Sequence, residues 1–113
     1  MGWRFILSTS LLLLASSAQA AAPATSASSS AGYKVGIRNF HFQPAQLVVP
    51  AGSKVTWTNH DEEPHTVTSA GGQFKNSSGL DTDDHYSVVF TKPGTYVYFC
   101  SIHPQMTGTI VVH

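Results

Sequence analysis

Turn signals cut this sequence into runs too short for helices. From residue 33 onward the chain is interrupted by Pro44, by Pro50-Ala51-Gly52, by Gly71-Gly72 and by Lys92-Pro93-Gly94. Between these breaks the apolar residues alternate. Val35 and Ile37 share one face of a first run, and Val55 and Trp57 share one face of residues 54–59, opposite Lys54, Thr56 and Thr58. Tyr86, Val88 and Phe90 repeat the pattern in residues 86–91. A period of two marks half-buried strands. Further runs at 47–49, 65–69, 95–99 and 107–112, and a weaker one at 74–77, complete the set. The expected fold is all-β, an antiparallel Greek-key β-sandwich of about eight strands. Phe40 and Phe42 take the parity opposite to Val35 and Ile37, so a bulge near Arg38-Asn39 is expected.

The N-terminal stretch has another character. Arg4 precedes an apolar run from Phe5 to Ala15, and Ala18-Gln19-Ala20 supplies small residues, so residues 1–20 read as a secretory signal. The run is shorter than the ~20 apolar residues of a membrane span. Cleavage near Ala20 leaves about 93 residues, enough for one domain with a sandwich core. Residues 21–32 read as a flexible Ala/Ser-rich leader and residues 33–113 as the folded domain. A periplasmic protein is expected, with no membrane span in the mature chain. Loss of Arg4 leaves five basic and six acidic side chains. No basic stripe supports nucleic-acid binding. Asp61-Glu62-Glu63 and Asp81-Thr82-Asp83-Asp84 read as solvated loop charge.

Export sharpens the meaning of Cys100, the single cysteine. Exported proteins usually pair their cysteines, and one left alone is intermolecular, reactive or metal-bound. Cys100 opens the stretch Cys100-Ser101-Ile102-His103-Pro104-Gln105-Met106, which connects the runs at 95–99 and 107–112. A thiolate, an imidazole and a thioether are donors that copper prefers, and a short connection between two strands can aim all three at one atom. His65, after Pro64, is the upstream candidate for a fourth donor. His60 is its rival, but Pro64 and the run that follows favour His65. His41, His60, His85 and His113 have no cysteine or methionine at ligand spacing and read as surface residues.

These residues resemble the cupredoxins, small blue copper electron carriers, and most closely the amicyanin and plastocyanin-like members. The resemblance rests on the Cys-x2-His-x2-Met loop with Pro104 after its histidine, on Trp57-x-Asn59 and on Pro64-His65. It covers about residues 34 to 112. It implies one copper per chain, held by His65, Cys100 and His103 in a trigonal plane with Met106 as a weak axial donor. It implies that Cys100 points inward, that Phe99 is an exposed or edge aromatic, and that Asn59 ties the two ligand loops together by hydrogen bonds. Residue 66 is threonine where relatives often carry asparagine. Pro64 and Pro104 stiffen the backbone beside each histidine, and Gly108 lets the chain leave the loop. Four protein donors leave no open position for a substrate, so the resemblance implies an electron carrier and not an enzyme. Its expected partners are redox proteins, such as a cytochrome c, a dehydrogenase or a reductase, met by a monomer. The alternative is a copper-binding module for storage or delivery.

Overall fold

The computed structural model describes residues 32–113, together with Gly2 and Ala15. The signal sequence and the leader therefore lie almost wholly outside the described residues. Gly32, which by sequence closes the leader, is the first residue of a strand. Eight strands follow one another: β1 (Gly32–Arg38), β2 (His41–Gln43), β3 (Gln46–Val49), β4 (Ser53–Asn59), β5 (Thr68–Ser69), β6 (His85–Phe90), β7 (Gly94–Phe99) and β8 (Thr107–Val112). They form two four-stranded sheets, ordered β2-β1-β4-β6 and β3-β8-β7-β5. Among the described residues there is no α-helix. Val35, Ile37, Phe42, Val55, Trp57 and Phe90 of the first sheet meet Val49, Tyr96, Tyr98, Ile110 and Val112 of the second in one core. The alternation sorts these faces as the sequence implied: Val55 and Trp57 are buried, whereas Lys54 is exposed.

The all-β sandwich is therefore as expected, but both sheets are mixed. β1 pairs with β4 in parallel, Val35 opposite Trp57, and β3 pairs with β8 in parallel. Alternation reports the face that a residue occupies, and that face is the same whichever way the neighbouring strand runs. The bulge expected near Arg38-Asn39 is instead a two-residue hairpin. Arg38 pairs with His41 across Asn39 and Phe40, whose φ angles are 50° and 60°. Positive φ at both central residues matches the twist of the flanking strands. Asparagine accepts that conformation readily; phenylalanine does not.

Two expected strands are reduced or missing. Only Thr68–Ser69 of the run at 65–69 is a strand, and residues 74–77 form none. Their backbone groups bond to side chains across a loop. The Val67 N–H donates to Ser77 Oγ at 2.8 Å and the Ser69 N–H to Asn76 Oδ1 at 2.9 Å. These donors are lost to a ladder between the two segments, and the Thr66 N–H, which faces the other sheet neighbour, goes to Cys100 Sγ and not to a backbone carbonyl.

Gly108 has a different role from the one expected. It lies opposite Tyr98 in the β7–β8 register, and a Cβ at this position would run into the Tyr98 ring. Its contribution is space. Tyr98 is fully buried, with ring centroids 4.7 Å from Phe42 and 5.3 Å from Trp57. Burial, opposed in part by the Trp57 indole, pushes its phenol up to about 12. Overpacking a well-filled core costs roughly 1–3 kcal/mol. Gly108→Ala is expected to lower the urea-unfolding stability by about that amount. An unchanged midpoint would show that the Tyr98 ring can move aside.

Candidate metal centre

The register of β7 and β8 runs from Gly94 opposite Val112 to Phe99 opposite Thr107. The ladder then takes one further step. The Cys100 N–H donates to the Met106 carbonyl at 3.0 Å, and the Met106 N–H donates to the His103 carbonyl at 2.9 Å. The loop is thus closed at its base and braced across its middle. Strand parity carries Tyr96, Tyr98 and Cys100 to the inner face and leaves Val97 exposed and Phe99 half-buried. Cys100 and Met106 are buried in the same core cluster.

His65 comes from a separate loop. It forms a two-way backbone bridge with Leu80, its N–H donating at 3.1 Å and its carbonyl accepting at 2.7 Å. Asn59, fully buried, shapes the approach. Its Nδ2 donates to the Glu63 and Leu80 carbonyls, both at 2.8 Å, and its Oδ1 accepts from the Asp61 N–H at 2.8 Å. Asn59 therefore organises the His65 loop and does not tie it to the Cys100 loop. Thr66 makes that tie. Its N–H donates to Cys100 Sγ at 3.4 Å, and its Oγ1 accepts from the Ser101 N–H at 2.7 Å. Being one residue from His65, Thr66 faces the other loop directly; Asn59 sits behind, against Leu80.

Three donors converge. Cys100 Sγ lies 3.8 Å from His65 Nδ1 and 3.7 Å from His103 Nδ1, and the three ligand atoms all lie within 4.8 Å of one another. Bonds of about 2.3 Å to sulfur and about 2.0 Å to nitrogen, meeting at about 120°, hold the two donor atoms about 3.7 Å apart. The spacing is that of donors to one shared ion. Two imidazoles and a thiolate, with a buried thioether at the end of the loop, are a donor set that fits copper. His65 and Cys100 are fully buried and His103 is half-buried. His41, His60, His85 and His113 are all exposed, as expected, and His60 lies over Gly36 and outside the cluster.

Sequence reasoning missed two residues. Asp61, which reads in the sequence as solvated charge, has a side chain only 10% exposed. Its Oδ2 accepts from His65 Nε2 at 2.9 Å and from the Phe40 N–H at 2.9 Å, and its Oδ1 accepts from the Asn39 N–H at 2.7 Å. Burial pushes this carboxyl up, but the Phe40 amide, the His65 ring and the Asn39 amide together hold it below the usual carboxylate range. Phe40, on the hairpin turn, sets its ring edge-on to both histidines, with centroids 5.3 Å from His65 and 5.0 Å from His103. Asn39 was a usable turn signal, but nothing in the sequence linked that turn to the site. Glu62, Glu63, Asp81, Asp83 and Asp84 are exposed, as loop charge should be.

A β-sandwich with cysteine, two histidines and methionine gathered at one end defines the class of small copper proteins. The chain belongs to the cupredoxins: residues 4–112 match the family described as the cupredoxin-like domain. It is 43% identical over 83 residues to amicyanin-alpha of Methylorubrum extorquens, a match covering 70% of each chain. It is 34% identical over 82 residues to amicyanin of Paracoccus denitrificans, covering 69% of this chain and 63% of that one. The solved structure of a purple cupredoxin from Nitrosopumilus maritimus is similar at a TM-score of 0.67 and 35% identity, over 72% of this chain and 99% of that one. Copper is the cofactor of this family, and the donor set agrees with it.

Burial acts to raise the Cys100 pKa, but the Thr66 amide and the two imidazoles outweigh it and bring the thiol down to about 6. In metal-free protein the ultraviolet absorbance of the thiolate is expected to titrate near that value and to be missing from Cys100→Ser. Because the folded-state value lies below the ordinary 9.0, the thiolate stabilises the fold above the ordinary value. That contribution is lost as pH falls through the folded-state value. Urea midpoints of metal-free protein should therefore rise across this window by more than those of Cys100→Ser. A thiolate midpoint at the ordinary value would contradict the arrangement.

Proposed function

We propose that this protein carries single electrons between redox proteins, using copper held by His65, Cys100 and His103 with Met106 as a weak fourth donor. The observation that carries the reading is the pair of short, nearly equal distances from Cys100 Sγ to the two Nδ1 atoms, 3.8 and 3.7 Å. Bound copper supplies a couple between Cu(I) and Cu(II), which takes up and releases one electron. The protein's part is to keep the donors still. Cys100 is held between the Met106 carbonyl and the Thr66 amide, and His65 between Leu80 and Asp61. Donors fixed in this way move little when the charge between them changes, which favours fast transfer.

Four protein donors leave no position for a substrate, which supports a carrier rather than an enzyme. The burial of His65 and Cys100 speaks against storage or delivery, since a delivery site must present its donors to a partner. His103 is the least buried of the four donors. Phe40 and Ile102, 41% and 49% exposed, lie beside it in space and in sequence respectively. This edge is the port where a cytochrome c, a dehydrogenase or a reductase docks on the monomer. Periplasmic location is supported by the secretory character of residues 1–20.

Copper-loaded protein is expected to bind one ion per chain and to be intensely blue when oxidised, through thiolate-to-copper charge transfer. Cys100→Ser should lose that band, and a blue variant would sink the assignment. Met106→Gln, which replaces a soft donor by a harder oxygen, is expected to keep copper and lower the reduction potential. Voltammetry that finds the potential unchanged or raised would count against Met106. Stopped-flow electron exchange with a cytochrome c tests the carrier role itself.

A further inference from the structure

His65 uses its two ring nitrogens differently. Nδ1 faces Cys100 Sγ at 3.8 Å, and Nε2 faces Asp61 Oδ2 at 2.9 Å. An ionised carboxylate only accepts hydrogen bonds, so Nε2 carries the proton and Nδ1 presents its lone pair. The same carboxylate also holds the β1–β2 turn, accepting both amides of Asn39 and Phe40. Asp61 is itself fixed at both backbone ends. Its N–H donates to Asn59 Oδ1 at 2.8 Å, and its carbonyl accepts from the Thr82 hydroxyl at 2.7 Å. The neighbouring Glu62 and Glu63 are exposed.

The turn has something to hold. Phe40 sits at φ 60°, a conformation that phenylalanine disfavours. Its ring stands nearly perpendicular to both imidazoles, at 87° to His65 and 86° to His103. The two histidines come from loops 38 residues apart in sequence, and the one Phe40 ring stands against both. The two hydrogen bonds that the Asn39 and Phe40 N–H groups donate to Asp61 keep the tip of this turn against the site.

We propose that Asp61 is a positioning residue for electron transfer: it fixes the tautomer and orientation of His65 and clamps the hairpin turn, so that Phe40 confines both histidine rings. The proposal rests on the reading of His65 and His103 as copper ligands. Partners of this kind orient a ligand ring and raise its basicity. A negative carboxylate hydrogen-bonded to a ligand favours the more highly charged ion, so Asp61 lowers the reduction potential.

The test uses the reduced copper protein, which is diamagnetic and suits NMR. In wild type, the His65 Nε2–H should give a resolved signal that exchanges slowly with water. In Asp61→Asn, whose single side-chain oxygen cannot serve all three donors, that protection should be reduced, the reduction potential should rise, and the Cu(II) electron paramagnetic resonance spectrum should change. Glu62→Gln removes an equal charge from the adjacent residue and should alter none of the three. A wild-type Nε2–H in fast exchange, or a proton on Nδ1, would overturn the proposal even if Asp61→Asn fails to fold. Unchanged exchange and potential in Asp61→Asn would also overturn it, as would equal shifts in the two variants, which would reduce the effect to surface charge. Wild-type protein that takes up no copper would overturn the ligand assignment, whereas blue protein with an indifferent Asp61→Asn would overturn only the positioning role of Asp61.

Discussion

The pairing of β7 with β8 is the constraint on which the centre depends. Once Phe99 stands opposite Thr107, the next ladder bond joins Cys100 to Met106, and His103 must occupy the turn between them. Slipping the register by one residue would turn Cys100 to solvent, together with Tyr96 and Tyr98. Tyr98 guards against that slip. Its ring needs a neighbour without a side chain, and Gly108 is that neighbour. A contact inside the core therefore decides where a donor stands at the end of the sandwich. Thr66 then joins this hairpin to the loop that supplies His65.

Features set by nearby residues were legible in the sequence. The faces of β4 followed from alternation, the donors of the loop from their chemistry, and His65 from Pro64 before it. The inward aim of Cys100 on β7 followed only from the family resemblance, because both faces of that run are apolar. Features set by residues far apart were not. The parallel pairings of β1 with β4 and of β3 with β8 leave no mark on alternation. Asp61 lies 22 and 21 residues from the amides that it accepts, and among Glu62 and Glu63 it looks like one more exposed acid. The link between the ligand loops falls to Thr66 and not to Asn59, because the buried amide of Asn59 is taken up by its own loop, and no pattern in the sequence reveals which partners a side chain finds.

Charge at this end of the molecule is arranged before any ion is considered. Burial disfavours the ionised form of both Cys100 and Asp61, yet in both cases directed N–H groups reverse the balance. Buried anions are tolerable when donors of this kind satisfy them. The thiolate and the carboxylate stand on opposite sides of the His65 ring, so the imidazole lies between two negative groups. A cation bound there completes a set of charges that the fold already holds apart.

The place of β8 governs how these parts come together. It lies between β3 and β7 in the interior of its sheet, although it follows every other strand along the chain. Neither β3 nor β7 has its full set of neighbours until β8 arrives, and three of the four donors come immediately before it in sequence. Its pairing with β3 joins distant parts of the chain, whereas the β7–β8 hairpin that carries Cys100, His103 and Met106 is local. The last strand therefore closes its sheet and gathers three donors with the same ladder. The fourth, His65, is brought to them from a separate loop through Thr66.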